Sequence, residues 1–520
     1  MINDNLGSKR RKLEESSSIF NVFPETNYEI AEKAKSNFSK PSPDDIVLKA
    51  QETNSQEIAV GVKALKLDSK KPAVTKPKKK IDVSKELGVK LSKPSLSFGV
   101  IGHVDSGKST LAGRLLYDLK IVDSKTLHKL TKESESIGKA SFALAWIMDQ
   151  TKDERERGVT VDICQTQFKT EKSLFTMIDC PGHKSFIPQM INGISQADLT
   201  LLIVDAGKNA FESSFGLSGQ TREQITIARN LGLDRLVVAV NKMDTADWQQ
   251  DRFEQIVDEL TQFLVDDLAF AKEKIRFVPI SGLSGGNVVA KQKLSWYSKG
   301  TLMEVLEAEA ELKHSEDSAD RFNDEFIMSI NDIETSSDDV LISGRVNSGK
   351  IQPGESIAVS PSGDVGVVDK IFANIESPGA PKAKQDRDLV IVGEFVTLKV
   401  KNLSLPDNVK VGDLVSRSNS PIQASMKIKC KITTFKMNLP LLLGSQFILF
   451  RNNISVPATL SNIEGRKKKH LGSNQDALVE IDLVERPIPV LTYAQDSKLG
   501  RVVLRKNGET IGAGTVEEVL

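Results

Sequence analysis

The chain has 520 residues, too many for one core, and its length suggests about three domains. Seventy basic residues balance seventy acidic ones, which excludes a global polyanion-binding field, so any RNA must be met by local patches. Cys164, Cys180 and Cys430 are scattered, the five histidines show no metal-ligand pattern, and no apolar run approaches the roughly 20 residues that span a membrane. With a polar start and no signal-peptide core, a soluble, cytoplasmic chain without a membrane partner is expected.

Residues 1–95 are rich in Ser, Lys, Asn, Pro and charge and read as a mostly disordered tail. Within it, Asp44-Asp45 ahead of Ile46-Val47-Leu48 could cap a short helix or serve as a docking motif. The basic run from Lys70 to Lys80 reads as a solvated linker or a segment grazing RNA. The Lys9-Arg10-Arg11-Lys12 tract is too common a pattern to name a nuclear signal.

From about 96 to 314 apolar strands alternate with helical stretches, predicting a doubly wound α/β domain with working loops at the strand C-termini. Its first strand, around Phe98 to Ile101, runs into Gly102-His103-Val104-Asp105-Ser106-Gly107-Lys108-Ser109-Thr110 and then a helix. That is a P-loop: glycines let backbone N–H groups converge on phosphates, aided by the helix dipole. Lys108 supplies a cation for the β/γ phosphates and Ser109 a hydroxyl for Mg²⁺.

The strand Leu174 to Ile178 delivers Asp179-Cys180-Pro181-Gly182-His183. There Asp179 is expected to bind the metal through water, and the Gly182 N–H to reach a γ-phosphate. Leu236 to Val240 delivers Asn241-Lys242-Met243-Asp244, where Asp244 would accept the N1–H and 2-amino donors of guanine and select GTP over ATP. Asn241 would tie this loop to the P-loop, and the Lys242 stem would cover one face of the base. Arg276 to Ile280 ends in Ser281-Gly282-Leu283, whose N–H groups could reach the guanine O6. Each loop alone could be a plain turn; four in order, each at a strand end, define a GTPase domain that binds GTP and GDP.

After a polar linker from His314 to Asp320, short strands separated by Gly, Pro and Asn turns predict two β-barrels, 321–420 and 421–520. The cluster Arg466-Lys467-Lys468-Lys469-His470 reads as a solvated hairpin tip or a face for RNA.

The blocks Gly99 to Thr110, Arg157-Gly158-Val159-Thr160, Asp179 to His183 and Asn241 to Asp244 resemble the elongation factor 1-alpha group of translational GTPases, from about Ser97 to Leu520. Gly138 to Asp149, Asp247-Trp248 through Phe253, Ser281 to Gly285 and Pro41 to Gln51 resemble its ribosome-rescue branch, which partners Pelota. The resemblance implies that Thr160 completes the Mg²⁺ shell and that His183 positions the attacking water when the ribosome orders the switch regions. It also implies a monovalent cation at Asp105, where a residue serving only loop hydrogen bonds is the plain alternative. Cys180 replaces a more usual alanine, a small-for-small change with no functional consequence expected. The implied function is delivery of a Pelota-type, tRNA-mimicking partner to stalled ribosomes with an empty A site, for rescue and mRNA quality control (no-go and non-stop decay).

Three rivals stand beside this reading. An aminoacyl-tRNA-delivering factor carries Gly-x-Gly-Thr-Val where this chain reads Ser336-Ser337-Asp338-Asp339-Val340. The GTPase subunit of the termination complex is disfavoured by Gly138 to Trp146 and Asp247-Trp248. A ribosome-to-exosome adaptor, with the exosome or its cofactors as partner, stays open, because no folded N-terminal module is read before Ile46.

Overall fold

Apolar runs without polar alternation form strands buried on both faces, and such runs build one sheet at the centre of the first domain. The computed structural model describes residues 93–520 except 137, 149–153, 156–159, 217–218, 317–321, 336–338, 374, 377–384, 404–405 and 466–468. The tail segments around Lys9, Asp44 and Lys70, together with Arg157-Gly158-Val159, Ser336-Ser337-Asp338 and Arg466-Lys467-Lys468, lie outside the described residues.

In the first domain β1 (Ser95–Gly102) sits mid-sheet and leads to α1 (Lys108–Asp118) and α2 (Ser124–Ser136). The chain continues through β2 (Cys164–Lys169), β3 (Leu174–Asp179), α3 (Ile187–Ile194), β4 (Leu199–Asp205), α4 (Ala210–Phe215) and α5 (Gln220–Asn230). It closes with β5 (Leu236–Asn241), α6 (Gln250–Gln262), β6 (Ile275–Pro279) and α7 (Leu302–Glu316). The strand order is β2-β3-β1-β4-β5-β6, with β2 antiparallel and the rest parallel. Leu96 to Gly102 are buried without a break, so both faces of β1 are covered. Because β3 and β4 flank β1, the crevice beyond its C-terminal end is a switch point where such sheets bind ligands.

Helix α7 runs two residues past His314, into the stretch read from sequence as linker. Its last turn is held by ion pairs: Glu316 with Arg235, and Lys313 with Asp198 at 3.4 Å.

In the second domain the strands Ser356–Ser360, Leu414–Arg417, Ile327–Thr335, Val340–Ser348, Phe395–Lys401 and Asp364–Ala373 pair in that order. Asp364–Ala373 then pairs back onto Ser356–Ser360 and closes a barrel. In the third, Lys427–Thr434, Asp476–Leu483, Ile454–Ile463, Gln446–Arg451, Arg501–Lys506 and Glu509–Val519 form a second closed barrel. Each barrel has its own apolar core, and closure removes the open edges of its sheet.

The turn Ser195–Asp198 between α3 and β4 is where the three domains meet. Ser195 Oγ donates to Asn452 Oδ1 and Gln196 Nε2 to Asn453 Oδ1, both at 3.0 Å, reaching the second barrel. Asn452 and Asn453 in turn donate to Ser329 Oγ (2.8 Å) and Asn331 Oδ1 (2.6 Å) of the first. The side chain of Asp198 is only 6% exposed and pairs with Arg345 of one barrel (2.6 Å), Lys498 of the other (2.7 Å) and Lys313 of α7. Burial alone would raise its carboxyl; Arg345, Lys313 and Lys498 instead hold it well below the carboxylate range. That depressed value keeps its stabilisation in full above the ordinary carboxylate pKa, and the contribution is lost only as acid reaches the lowered value.

Removing one member of such a cluster leaves like charges buried without compensation. Asp198→Ala is expected to destabilise the chain by about 3–5 kcal/mol in urea unfolding at neutral pH. A loss under about 1 kcal/mol would show that this charge cluster contributes little to holding the three domains together.

Candidate nucleotide-binding site

The loop after β1 needs two backbone conformations that L-residues rarely adopt. Asp105 (φ 63°) and Gly107 (φ 88°) are both left-handed, which turns successive N–H groups inward before α1 starts at Lys108. Ser106 N donates to His103 O (3.3 Å), and Leu111 N donates to Gly107 O (2.9 Å) as the first helical bond. Space is limited on both sides. A Cβ on Gly107 would lie 2.6 Å from Asn241 Nδ2, and one on Gly182 would lie 2.3 Å from Lys108 Nζ.

The pocket beside this loop is lined by Val104, Asp105, Gly107, Lys108, Ser109, Thr110, Thr160, Gly182 and His183, joined by Phe142 and Ala145. Lys108 is buried and donates to His103 O (2.8 Å). Burial lowers its ammonium to about 8, against the upward pull of Asp179 and Asp105. Burial also lowers the His103 imidazole, reinforced by Lys108.

Asp179 is fully buried, and among the described residues neither carboxylate oxygen has a hydrogen-bond partner. Burial raises its carboxyl to about 6. Ser109 Oγ and Thr160 Oγ1 lie 2.9 Å apart, and the same Ser109 hydroxyl pulls the Asp179 carboxyl downward, which brings two hydroxyls and a carboxylate together. That set fits Mg²⁺, which takes hard oxygen ligands and shares its shell with phosphates and water. The turn presenting Thr160 is fastened by Glu154 Oε1, which accepts from Val161 N (3.1 Å) and Asp162 N (3.3 Å).

His183 is exposed; its Nδ1 accepts from Ser185 N (3.2 Å) and its ring lies 5.9 Å from that of Phe186. Cys180 beside it is buried, and burial pushes its thiol up, so it is no nucleophile.

At the other end Asn241 acts as a cross-brace. Its Nδ2 donates to Ser106 O, and its Oδ1 accepts from Lys242 N and Gly282 N, each at 2.8 Å. Lys242 Nζ reaches Asp105 O and the Asp205 carboxylate, both at 2.7 Å. Asp244 is exposed, and among the described residues its carboxylate makes no hydrogen bond. Ser281 is buried; Leu283 is exposed, and its carbonyl accepts from Arg114.

Sequence reasoning missed the residues that link these loops. Gln224 Oε1 accepts from Gly102 N (2.9 Å) and its Nε2 donates to Gly182 O (3.2 Å), joining the P-loop to the loop after β3. Gln220, one turn earlier, bonds Gly182 O, His103 Nδ1 and Lys184 N with its amide turned to match them. Neither glutamine carries a motif, nor does Glu154. Phe142 and Ala145 lay in a stretch that spoke only for family branch.

Fold and site together define a P-loop GTPase. Residues 93–313 match the elongation factor Tu GTP binding domain, and 427–517 match the GTP-eEF1A C-terminal domain-like family. The chain is 38% identical to Protein HBS1 of Drosophila melanogaster over 81% of its own length and 62% of that protein's. It is 34% identical to the elongation factor 1 alpha-like protein of Schizosaccharomyces pombe, over 82% and 70% respectively. The GTP-bound GTPase-like domain of S. cerevisiae Ski7 superposes with a TM-score of 0.73 at 23% identity, over 84% of this chain and 99% of that one. The chain belongs to the elongation factor 1-alpha family of translational GTPases. It spans less than two thirds of the length of the fly protein.

The orphaned Asp179 carboxylate separates two effects. Its folded pKa of about 6 lies above the ordinary 3.8, so its ionised form destabilises the nucleotide-free chain as pH rises through about 6. Asp179→Asn is expected to raise nucleotide-free stability by about 1–3 kcal/mol at pH 7.5. The same change should weaken GDP binding in Mg²⁺ and leave it nearly unchanged in EDTA. Equal weakening in both buffers would remove Asp179 from the metal set.

Proposed function

We propose that the chain is a ribosome-stimulated GTPase that delivers a Pelota-type, tRNA-mimicking protein to stalled ribosomes with an empty A site, in the cytoplasm. The observation that carries the nucleotide reading is the pairing of buried, underused charges, Lys108 and Asp179, with the Ser109–Thr160 contact at one sheet end. GTP binds with its phosphates on the inward N–H groups from Asp105 to Thr110 and on Lys108. Asp244 accepts from the guanine edge, and Ser281, Gly282 and Leu283 close over O6. Ser109, Thr160 and Asp179 hold Mg²⁺, directly or through water. When bound, the metal neutralises charge on the phosphates. A monovalent cation at Asp105, which lines the same pocket, belongs to this reading.

His183 is the catalytic residue of this proposal. Its exposed ring must move toward the phosphate end to orient water, so slow turnover in the free chain and fast turnover on the ribosome follow from one rotation. After cleavage Thr160 and Gly182 lose their γ-phosphate contact, the switch loops relax and the partner is released for ribosome rescue and mRNA quality control. Kinship with HBS1 and the loop stretches of the rescue branch support this delivery role. The likeness to Ski7 shows the fold alone, so the exosome-adaptor reading gains nothing from it.

His183→Ala is expected to keep GTP affinity within about twofold while cutting ribosome-stimulated turnover by roughly 10³ or more. Unchanged turnover in a single-round assay with purified ribosomes and Pelota would remove His183 from its role. Asp244→Asn is expected to shift preference from guanine toward xanthine nucleotides, read as relative Kd for GDP and XDP; retained guanine preference would unseat Asp244.

A further inference from the structure

Beside the base-recognition loop, the backbone takes two left-handed residues in succession, Asp247 (φ 50°) and Trp248 (φ 52°). Neither is a glycine, and a bulky aromatic residue at positive φ is strained unless its surroundings hold it there. The surroundings do so at three points. Trp248 N donates to Met243 O (2.8 Å), inside the segment that carries Asp244. Trp248 O accepts from Trp296 Nε1 (3.1 Å). The indole ring itself lies on Gly286: a Cβ there would stand 2.8 Å from Cζ2 and 3.0 Å from Cη2.

Gly286 closes the loop that carries Ser281, Gly282 and Leu283. Ser281 N donates to Gly286 O (2.9 Å), and Gly285 N donates to Ser281 O (2.8 Å). Asn241 therefore fastens the two base loops on the side facing the P-loop, while the Trp248 ring, which follows the first of them, rests against Gly286 of the second. One loop offers a carboxylate to the guanine edge and the other its backbone N–H groups, so the spacing between them decides whether both can be used at once.

We infer that Trp248 is a positioning residue for guanine recognition: its indole, seated on Gly286, sets the distance between Asp244 and the Ser281–Leu283 loop. The inference rests on the proposed guanine site. Gly286 is required because any side chain there would occupy the ring's place.

The test uses the full-length chain and compares GDP with IDP, which lacks the 2-amino group that Asp244 would bind. Dissociation constants are measured for the parent, Trp248→Ala, Trp248→Phe and Gly286→Ala. The parent should prefer GDP; Trp248→Ala should reduce that preference roughly tenfold, because a site built for a donor discriminates only when its acceptor is in place. Trp248→Phe, which keeps a ring over Gly286, should restore most of it. Gly286→Ala, allowed by the backbone but crowding the ring, should lower the preference from the opposite side. General damage to the domain would weaken GDP and IDP alike and leave the ratio unchanged. An unchanged ratio in folded Trp248→Ala overturns the inference. Should that variant not fold, an unchanged ratio in Gly286→Ala does the same. A parent that binds neither nucleotide would overturn the guanine-site reading itself, a result distinguishable from either ratio outcome.

Discussion

Asn241 is the interaction on which the nucleotide site depends. A single buried amide satisfies the Ser106 carbonyl with its N–H and two backbone N–H groups with its oxygen, so three loops from three strand ends share one rigid connector. An amide serves here because it offers donor and acceptor on one short stem; a carboxylate could not donate to Ser106, and an alkyl side chain would strip three backbone groups, two of them in buried bonds, of their partner. The close approach of Gly107 follows from the same contact, since a side chain there would displace the amide. Lys242 repeats the tie at the surface through Asp105 O and Asp205.

The second constraint is electrostatic and lies at the opposite end of β1. Asp198 collects three cations from the two barrels and α7, and its partners satisfy it so fully that its carboxyl is depressed despite burial. Helix α5 lies between the two constraints. Its Gln220 and Gln224 hold the P-loop and Gly182, while its Glu223 accepts from Arg505 (3.1 Å) and Thr510 (2.9 Å) of the second barrel. The sheet edge is joined as well: Ile375–Glu376 of the first barrel pairs with β2, and Gln167 Nε2 donates to Phe395 O (2.9 Å). Both barrels thus contact elements that also touch the nucleotide loops.

The architecture was legible where residue type and chemistry coincide. A P-loop must contain its glycines, its lysine and its hydroxyl in order, and buried parallel strands must be continuously apolar, so loops and strands could be placed from sequence. The named loop residues fall at one end of one sheet because each follows a strand of the same direction. The barrels themselves were read from sequence, but that Ser356–Ser360 and Asp364–Ala373 are the strands that close the first was beyond reach, since pairing partners leave no local mark. Glu154, Gln220, Gln224 and Asp198 were invisible for a related reason: each is an ordinary polar residue whose importance arises only from what the fold packs against it. The last residues of α7 were read as linker because their polar composition is that of a linker; the ion pair from Glu316 to Arg235, just before β5, overrides that composition.

The two charge clusters behave oppositely, and the contrast bears on how the site works. At Asp198 the surrounding cations outweigh burial, and the group is stabilised in its charged form. At the nucleotide end burial wins. Lys108 is lowered to about 8 and Asp179 raised to about 6, so each charged form is disfavoured even though the two attract. For a lysine lowered below its usual value the penalty applies below about pH 8, and for a carboxyl raised above its usual value it applies above about pH 6. The windows overlap at neutral pH, where both groups are charged and the protein compensates each only in part. A phosphate chain would compensate the first and a divalent cation the second. Ligand binding there relieves a cost already built into the fold, and the nucleotide-free chain is correspondingly the least stable of its states.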